Sequence, residues 1–155
     1  MNKPLGIAYL LFFVSVVLCP LTFVNAESPV VVRDAWVMEA PPGMRVMAAY
    51  MTIENSSSND HVLIQVSSPQ FRKVEMHRTV MESGIARMIQ QKNMKVEGGK
   101  ILEFVPGGNH LMLIDPDSQP GKGDKVEIVL IFKDGPRITV VAPVQKYTGK
   151  NPVHH

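Results

Sequence analysis

The chain has 155 residues, of which 16 are basic and 14 acidic, so its formal net charge at pH 7 is only +2. It has neither a concentrated basic run nor interleaved aromatic residues. The chain therefore lacks the clustered positive charge of a nucleic-acid-binding protein, and that class is excluded. The length suits one domain with a sizeable hydrophobic core. Ten methionines against a single cysteine, Cys19, are the compositional peculiarity.

Residues 1–26 are predicted to be a secretory signal peptide, because Lys3 precedes an apolar run that ends at the small residue Ala26. Cleavage there removes the only cysteine and leaves about 129 residues without a thiol. An uncleaved membrane anchor is the alternative. A lipoprotein fits less well, because Val16-Val17-Leu18 before Cys19 lacks the small residues of a lipid-attachment signal. We therefore expect an exported, periplasmic protein.

Residues 27–146 are predicted to form one β domain, followed by a flexible polar tail over residues 147–155. Short apolar segments alternate with turn-forming residues, and no stretch keeps a helical period. Nine strands are expected: Val30–Val37, Arg45–Glu54, His61–Ser67, Lys73–Val80, Ile85–Gln91, Lys100–Val105, His110–Ile114, Lys125–Phe132 and Arg137–Val144. Many short strands at this spacing indicate an all-β, antiparallel sandwich or barrel.

One of these strands places a histidine and a methionine on the same face. In "GGNHLML", residues 107–113, alternation directs His110 and Met112 to one side and Leu111 and Leu113 to the core. Such a pair alone is more often packing than metal ligation. Whether the pair binds a metal therefore depends on which side chains lie beside it.

The segment "KVEMHRTVMESGIARMIQ", residues 73–90, is predicted to be a β-hairpin with its turn centred on Glu82-Ser83. A two-residue loop there would set His77 directly opposite Met88. A three-residue loop closed through Gly84 would make the pair diagonal instead. If this hairpin lies beside the 107–113 strand, two imidazoles and two thioethers converge.

We therefore predict a metal site formed by His77, Met88, His110 and Met112, with no catalytic residue. Thioethers are soft, uncharged donors that favour Cu(I), whereas Zn²⁺, Mg²⁺ and Ca²⁺ prefer imidazole, thiolate or oxygen. A blue-copper electron carrier is excluded, because it needs a cysteine thiolate that the exported chain lacks.

The spacing also resembles a known family. His77, ten residues, Met88, twenty-one residues, His110, one residue and Met112 match the copper-binding pattern of the periplasmic copper chaperones called PCuAC. The similar segments are "RDAWVMEAPPG", "AAYMTIEN", "EMHRTVMESGIARM" and "FVPGGNHLMLID". Two positions depart from the pattern: Asn109, where relatives often carry an aromatic residue, and Met38, where they often have arginine.

The resemblance implies a single Greek-key, cupredoxin-like β-sandwich that binds Cu(I) and delivers it, chiefly to the CuA centre of cytochrome c oxidase. We expect a monomer that is not an enzyme and meets the membrane only through its acceptor. Copper storage or resistance is the alternative function. A copper-dependent redox enzyme, or a structural scaffold in which the spacing is accidental, fits less well.

The sequence gives weaker support for metal binding by the remaining methionines and histidines. Met76 is expected in the core, because it points away from His77 on the same strand. Gap-filling in the core is also the favoured role of four others, although they could form a loose copper-collecting surface: Met44, Met47, Met51 and Met81. His154 and His155 faintly resemble the histidine-rich tails that hold a second copper in some relatives.

Overall fold

The computed structural model describes residues 28–133 and 135–149, and every regular element in those ranges is a β-strand. The predicted signal peptide, His154 and His155 lie outside them. No helix in the described ranges is long and apolar enough to span a membrane. The ten strands are β1 Val30–Met38, β2 Val46–Asn55, β3 His61–Ser67, β4 Phe71–Glu82, β5 Ile85–Gln91, β6 Met94–Val96, β7 Ile101–Phe104, β8 Asn109–Pro116, β9 Lys125–Lys133 and β10 Arg137–Gln145.

The prediction of an all-β fold is confirmed, and each of the nine expected strands is present. The sequence missed β6, because three residues carry too little alternation to stand out from the surrounding turns. Pairing is not purely antiparallel, since β1 with β10 and β7 with β8 run parallel.

The strands form one sheet in the order β5-β4-β8-β7-β2-β1-β10-β9-β3-β6, with β8 also pairing β2. We call β5 to β1 in that order the first half and β10 to β6 the second half. One continuous hydrophobic core takes side chains from both, such as Leu111 and Leu113 of β8 and Ile128 and Leu130 of β9. The two halves therefore pack face to face as a sandwich.

Leucines and histidine alternate along β8 as predicted. Leu111 and Leu113 are fully buried in the core, and burial of each contributes about 1.5–3 kcal/mol. On β2, Met47 and Met51 are core residues too, which confirms their gap-filling role. The outer face of β8 is therefore left to His110 and Met112.

A β-bulge in β1 changes which of its side chains lie on that outer face. The strand gains one residue near Asp34, whose φ is 52°, so that Trp36 pairs Tyr50 and Met38 pairs Ala48. One extra residue sends every following side chain to the opposite face of the sheet. Met38 therefore lies on the same face as His110.

The start of the predicted tail contacts the domain. Trp36 is buried on the outer face of the first half, outside the hydrophobic core cluster, with its ring centroid 4.8 Å from that of Tyr50. Tyr147 stacks on the same tryptophan with a centroid distance of 6.5 Å. These three rings fill the outer face next to Met38.

Candidate metal centre

The β4–β5 hairpin closes one residue later than predicted. Glu82 pairs Ile85, and the two loop residues are Ser83 and Gly84, with φ of 51° and 79°. Two left-handed residues in a two-residue loop are typical of a type I′ turn, whose twist matches the flanking strands. The predicted centre at Glu82-Ser83 was wrong, because glycine occupies the second central position and not the first strand position.

This shift changes the pairing that the sequence predicted. Met88 lies opposite Thr79, and His77 lies opposite Gln90. His77 and Met88 are therefore diagonal neighbours on one face of the hairpin, which is the alternative that the sequence left open, reached through a different turn. Diagonal neighbours are about 7–8 Å apart, within the reach of long side chains.

The hairpin does lie beside the "GGNHLML" strand. His77 pairs His110 directly across β4 and β8, and the two ring centroids are 5.7 Å apart with an angle of 29° between the planes. Because paired residues share a face, His77, Met88, His110 and Met112 all project from the outer face of β5, β4 and β8. The structure thus brings the four predicted residues together on three adjacent strands.

Glu75, which the sequence analysis missed, determines which nitrogen of His77 is free. Lys73 first, and then His77, hold the pKa of the Glu75 carboxyl below its usual range. An ionised carboxylate can only accept, so His77 Nε2–H donates to Glu75 Oε2 at 2.9 Å. His77 Nδ1 then carries the lone pair, and it is buried without a partner among the described residues. The spacing of Glu75 and His77, two residues apart on one strand face, could have revealed the pair.

His110 is oriented in a similar way by the backbone. Its Nδ1–H donates to the carbonyl oxygen of Gly108 at 3.2 Å, since a carbonyl can only accept. The lone pair is therefore on Nε2, and this atom is also buried and unpartnered within the described part of the chain. Buried polar atoms without a partner are rare, and an ion is one of the few explanations for them.

Three of the four predicted residues, Met88, His110 and Met112, line a pocket of about 250 Å³. Met88 is 62% exposed on the edge strand β5, while His110 is 5% exposed. The pocket thus leads from a solvent-exposed thioether to a buried imidazole.

Asn109, the first departure from the family pattern, is held by hydrogen bonds on both sides of its amide. Its Oδ1 accepts from Arg78 Nε, and its Nδ2 donates to the carbonyl of Glu103, both at 3.0 Å. The side chain of this first residue of β8 thus links β4 to β7 and removes none of the four predicted donors.

The family comparisons agree with this fold. The LpqE-like family model matches residues 30–144. "Putative lipoprotein Lxx21020" of Leifsonia xyli subsp. xyli (strain CTCB07) is 31% identical over 121 residues, which are 77% of this chain and 72% of that protein. "Uncharacterized protein RP573" of Rickettsia prowazekii (strain Madrid E) is 31% identical over 88 residues, covering 56% and 49%.

Solved structures with this fold include copper-bound proteins. The copper-bound PCuAC domain from PmoF2 aligns with a TM-score of 0.66 at 23% identity, covering 79% of this chain and 97% of that one. CuI-DR1885 from Deinococcus radiodurans aligns with a TM-score of 0.64 at 30% identity, covering 82% and 87%. The chain therefore belongs to the LpqE-like family and has the fold of the PCuAC domains.

Proposed function

We propose that this chain binds one Cu(I) ion through His77, Met88, His110 and Met112 and passes it to a copper-accepting protein. One observation carries the proposal: His77 Nδ1 and His110 Nε2 are buried without a hydrogen-bond partner among the described residues, on the sheet face from which both methionines project. The ligating atoms would be His77 Nδ1, His110 Nε2 and the two thioether sulfurs.

The donor set suits Cu(I) better than other biological metals. Two neutral imidazoles and two thioethers are soft to intermediate ligands, whereas Mg²⁺ and Ca²⁺ require oxygen and Zn²⁺ favours thiolate, imidazole or carboxylate. Glu75 accepts the hydrogen bond from the other ring nitrogen of His77 and so fixes the ring, as carboxylates commonly do for metal-binding histidines. The name of CuI-DR1885, 30% identical to this chain, adds support because it states Cu(I) binding.

Delivery follows from the neutrality and position of the donors. Thioethers bind Cu(I) without the charge attraction of thiolates, so cysteines of an acceptor can replace them one at a time. Met88, the most exposed of the four on the edge strand, is the ligand we expect to be replaced first. Copper keeps its oxidation state throughout, and the acceptor we propose is the CuA domain of cytochrome c oxidase.

We place this activity outside the cytoplasm, in the periplasm. The apolar run that ends at Ala26 supports export, as does the lipoprotein description of the family. Cys19 lacks the small preceding residues of a lipid-attachment signal, so we propose a released, monomeric protein that meets the membrane only at its acceptor.

The test is an anaerobic Cu(I) titration of the exported chain against a competing chelator, with M88L and M112L beside the wild type. Each substitution conserves volume, so we expect folded proteins whose Cu(I) affinity falls by at least about tenfold. M76L is the matched control, because Met76 neighbours His77 but lies in the core. If both ligand variants kept the wild-type Cu(I) affinity, the proposal would be wrong and the domain would be a structural scaffold.

The loaded protein is then offered to a CuA-domain acceptor. Transfer of about one equivalent supports delivery, and uptake without transfer indicates storage instead. Aerobic turnover by the copper-loaded protein would point to a redox enzyme.

A further inference from the structure

Two more methionines line the pocket beside the proposed site. Met38 ends β1, and Met44 lies in the β1–β2 connection; both border the cavity that contains Met88, His110 and Met112. We call Met38 and Met44 the outer methionine pair. Met47 also borders the pocket, but its side chain is 2% exposed in the core on the opposite face.

The β-bulge near Asp34 places Met38 there. Because of it, Met38 pairs Ala48 across β1 and β2, and Ala48 in turn pairs Met112 across β2 and β8. Met38 and Met112 are thus two strands apart on one face, about 10 Å between their backbones. Ala48 between them has only a methyl group, which leaves room above it for two long side chains to approach.

Met44 lies on the solvent side of the same pocket. Its backbone N–H donates to the Pro41 carbonyl at 3.1 Å, in a turn that includes Gly43 at φ 81°. The side chain is 53% exposed, so core packing does not account for a methionine at this position. The connection therefore holds an accessible thioether at the pocket mouth.

We propose that the outer methionine pair is a second, weaker Cu(I) site through which the ion reaches the four-donor centre. This inference rests on the proposed function. Cu(I) would first be held by Met44 and Met38 and then move to Met112 and the histidines. In each exchange a bond from copper to a thioether sulfur or imidazole nitrogen of the centre forms as a copper–sulfur bond to the outer pair breaks, with no change in oxidation state and no proton transfer.

The outer methionine pair and the four-donor centre differ in Cu(I) affinity because their donors differ. Two thioethers without an imidazole bind Cu(I) more weakly than the four-donor centre, so the ion moves inward spontaneously. A transient hold at the mouth raises the effective concentration of Cu(I) at the centre. The pair therefore changes the rate of uptake more than the equilibrium affinity.

The experiment is an anaerobic Cu(I) titration of the exported chain with ¹³C-methyl methionine, followed by NMR. The first equivalent should shift the methyl signals of Met88 and Met112. Further Cu(I) should then shift Met38 and Met44, whereas Met81, 69% exposed but outside the pocket lining, should stay unchanged.

The kinetic arm compares the M38L/M44L double variant with M81L. We expect Cu(I) uptake to slow by about tenfold in the double variant while its Cu(I) affinity stays unchanged. M81L should keep both the uptake rate and the affinity of the wild type. The inference alone fails if Met88 and Met112 shift but the outer pair does not, if Met81 shifts equally, or if uptake keeps its rate. An affinity loss as large as that of M112L would make the pair part of the main centre and also overturn it. If Met88 and Met112 do not respond, the proposed function fails with it.

Discussion

Replacing Glu75 is the sharpest test of how the structure prepares His77 for a metal. The hydrogen bond between His77 Nε2 and Glu75 Oε2 measures 2.9 Å, and the two side chains are only 11% and 12% exposed. In E75A the ring loses the acceptor that fixes its tautomer and orientation. The lone pair is then no longer fixed on Nδ1.

Two estimates of the Cu(I) binding free energy lost in E75A agree. A hydrogen bond to a charged group contributes about 1.5–3 kcal/mol net. Loss of the hydrogen-bond partner of a metal ligand weakens metal binding by about 10- to 100-fold, which is about 1.4–2.8 kcal/mol. E75Q keeps an acceptor oxygen but loses the charge, so we expect a smaller loss of about three- to tenfold.

The assay is the anaerobic Cu(I) competition titration, with thermal unfolding of the metal-free proteins to verify folding. E82Q is the matched control, because Glu82 ends the same strand, is exposed and pairs Arg87 rather than a histidine. The order of affinities should be wild type and E82Q, then E75Q, then E75A. If folded E75A binds Cu(I) as tightly as wild type, Glu75 does not prepare His77, and the lone-pair reasoning is refuted.

Three further predictions concern stability, each measured by denaturant unfolding. Asn55 is buried, and the two N–H groups of its Nδ2 are shared among three backbone carbonyls at 2.8–3.2 Å, so N55A should lose about 1–3 kcal/mol; no loss would mean that water replaces the amide. In G98A the new Cβ would meet the Ser58 carbonyl oxygen at 2.4 Å, which should cost about 1–3 kcal/mol unless the loop shifts freely. Arg45 holds the pKa of the Asp115 carboxyl below its usual range; this contribution is present above the unfolded-state pKa and lost as pH falls through the folded one. D115N should therefore be less stable than wild type at pH 7, with the difference shrinking as pH falls below about 4 and vanishing below the folded-state pKa, and a difference independent of pH would contradict this.

The sequence determined the features that depend on local alternation. A period of two fixes which side chains of a strand share a face, so it correctly sent Leu111 and Leu113 to the core and left His110 beside Met112. The same logic found nine of the ten strands. It also predicted that His77, Met88, His110 and Met112 converge, and strand pairing brings the four side chains to one face of the sheet.

The period-two alternation could not predict the exact position of the hairpin turn or the bulge in β1. Alternation does not say where a strand reverses, and the turn shifted by one residue because Gly84 suits the left-handed second position of a type I′ loop. Nor does it register an extra residue near Asp34, which moves Met38 from the core face to the face of the candidate site.

Only the tertiary structure decided which distant strands are neighbours. His77 and His110 face each other because β4 pairs β8, a contact between segments separated by a turn and three further strands. That pairing closes off water around both rings, and Glu75 and the Gly108 carbonyl then leave one free lone pair on each. The sequence by itself supplied the donors and the face they share, whereas long-range strand pairing and burial set their spacing and their tautomers, because both depend on contacts that no local pattern encodes.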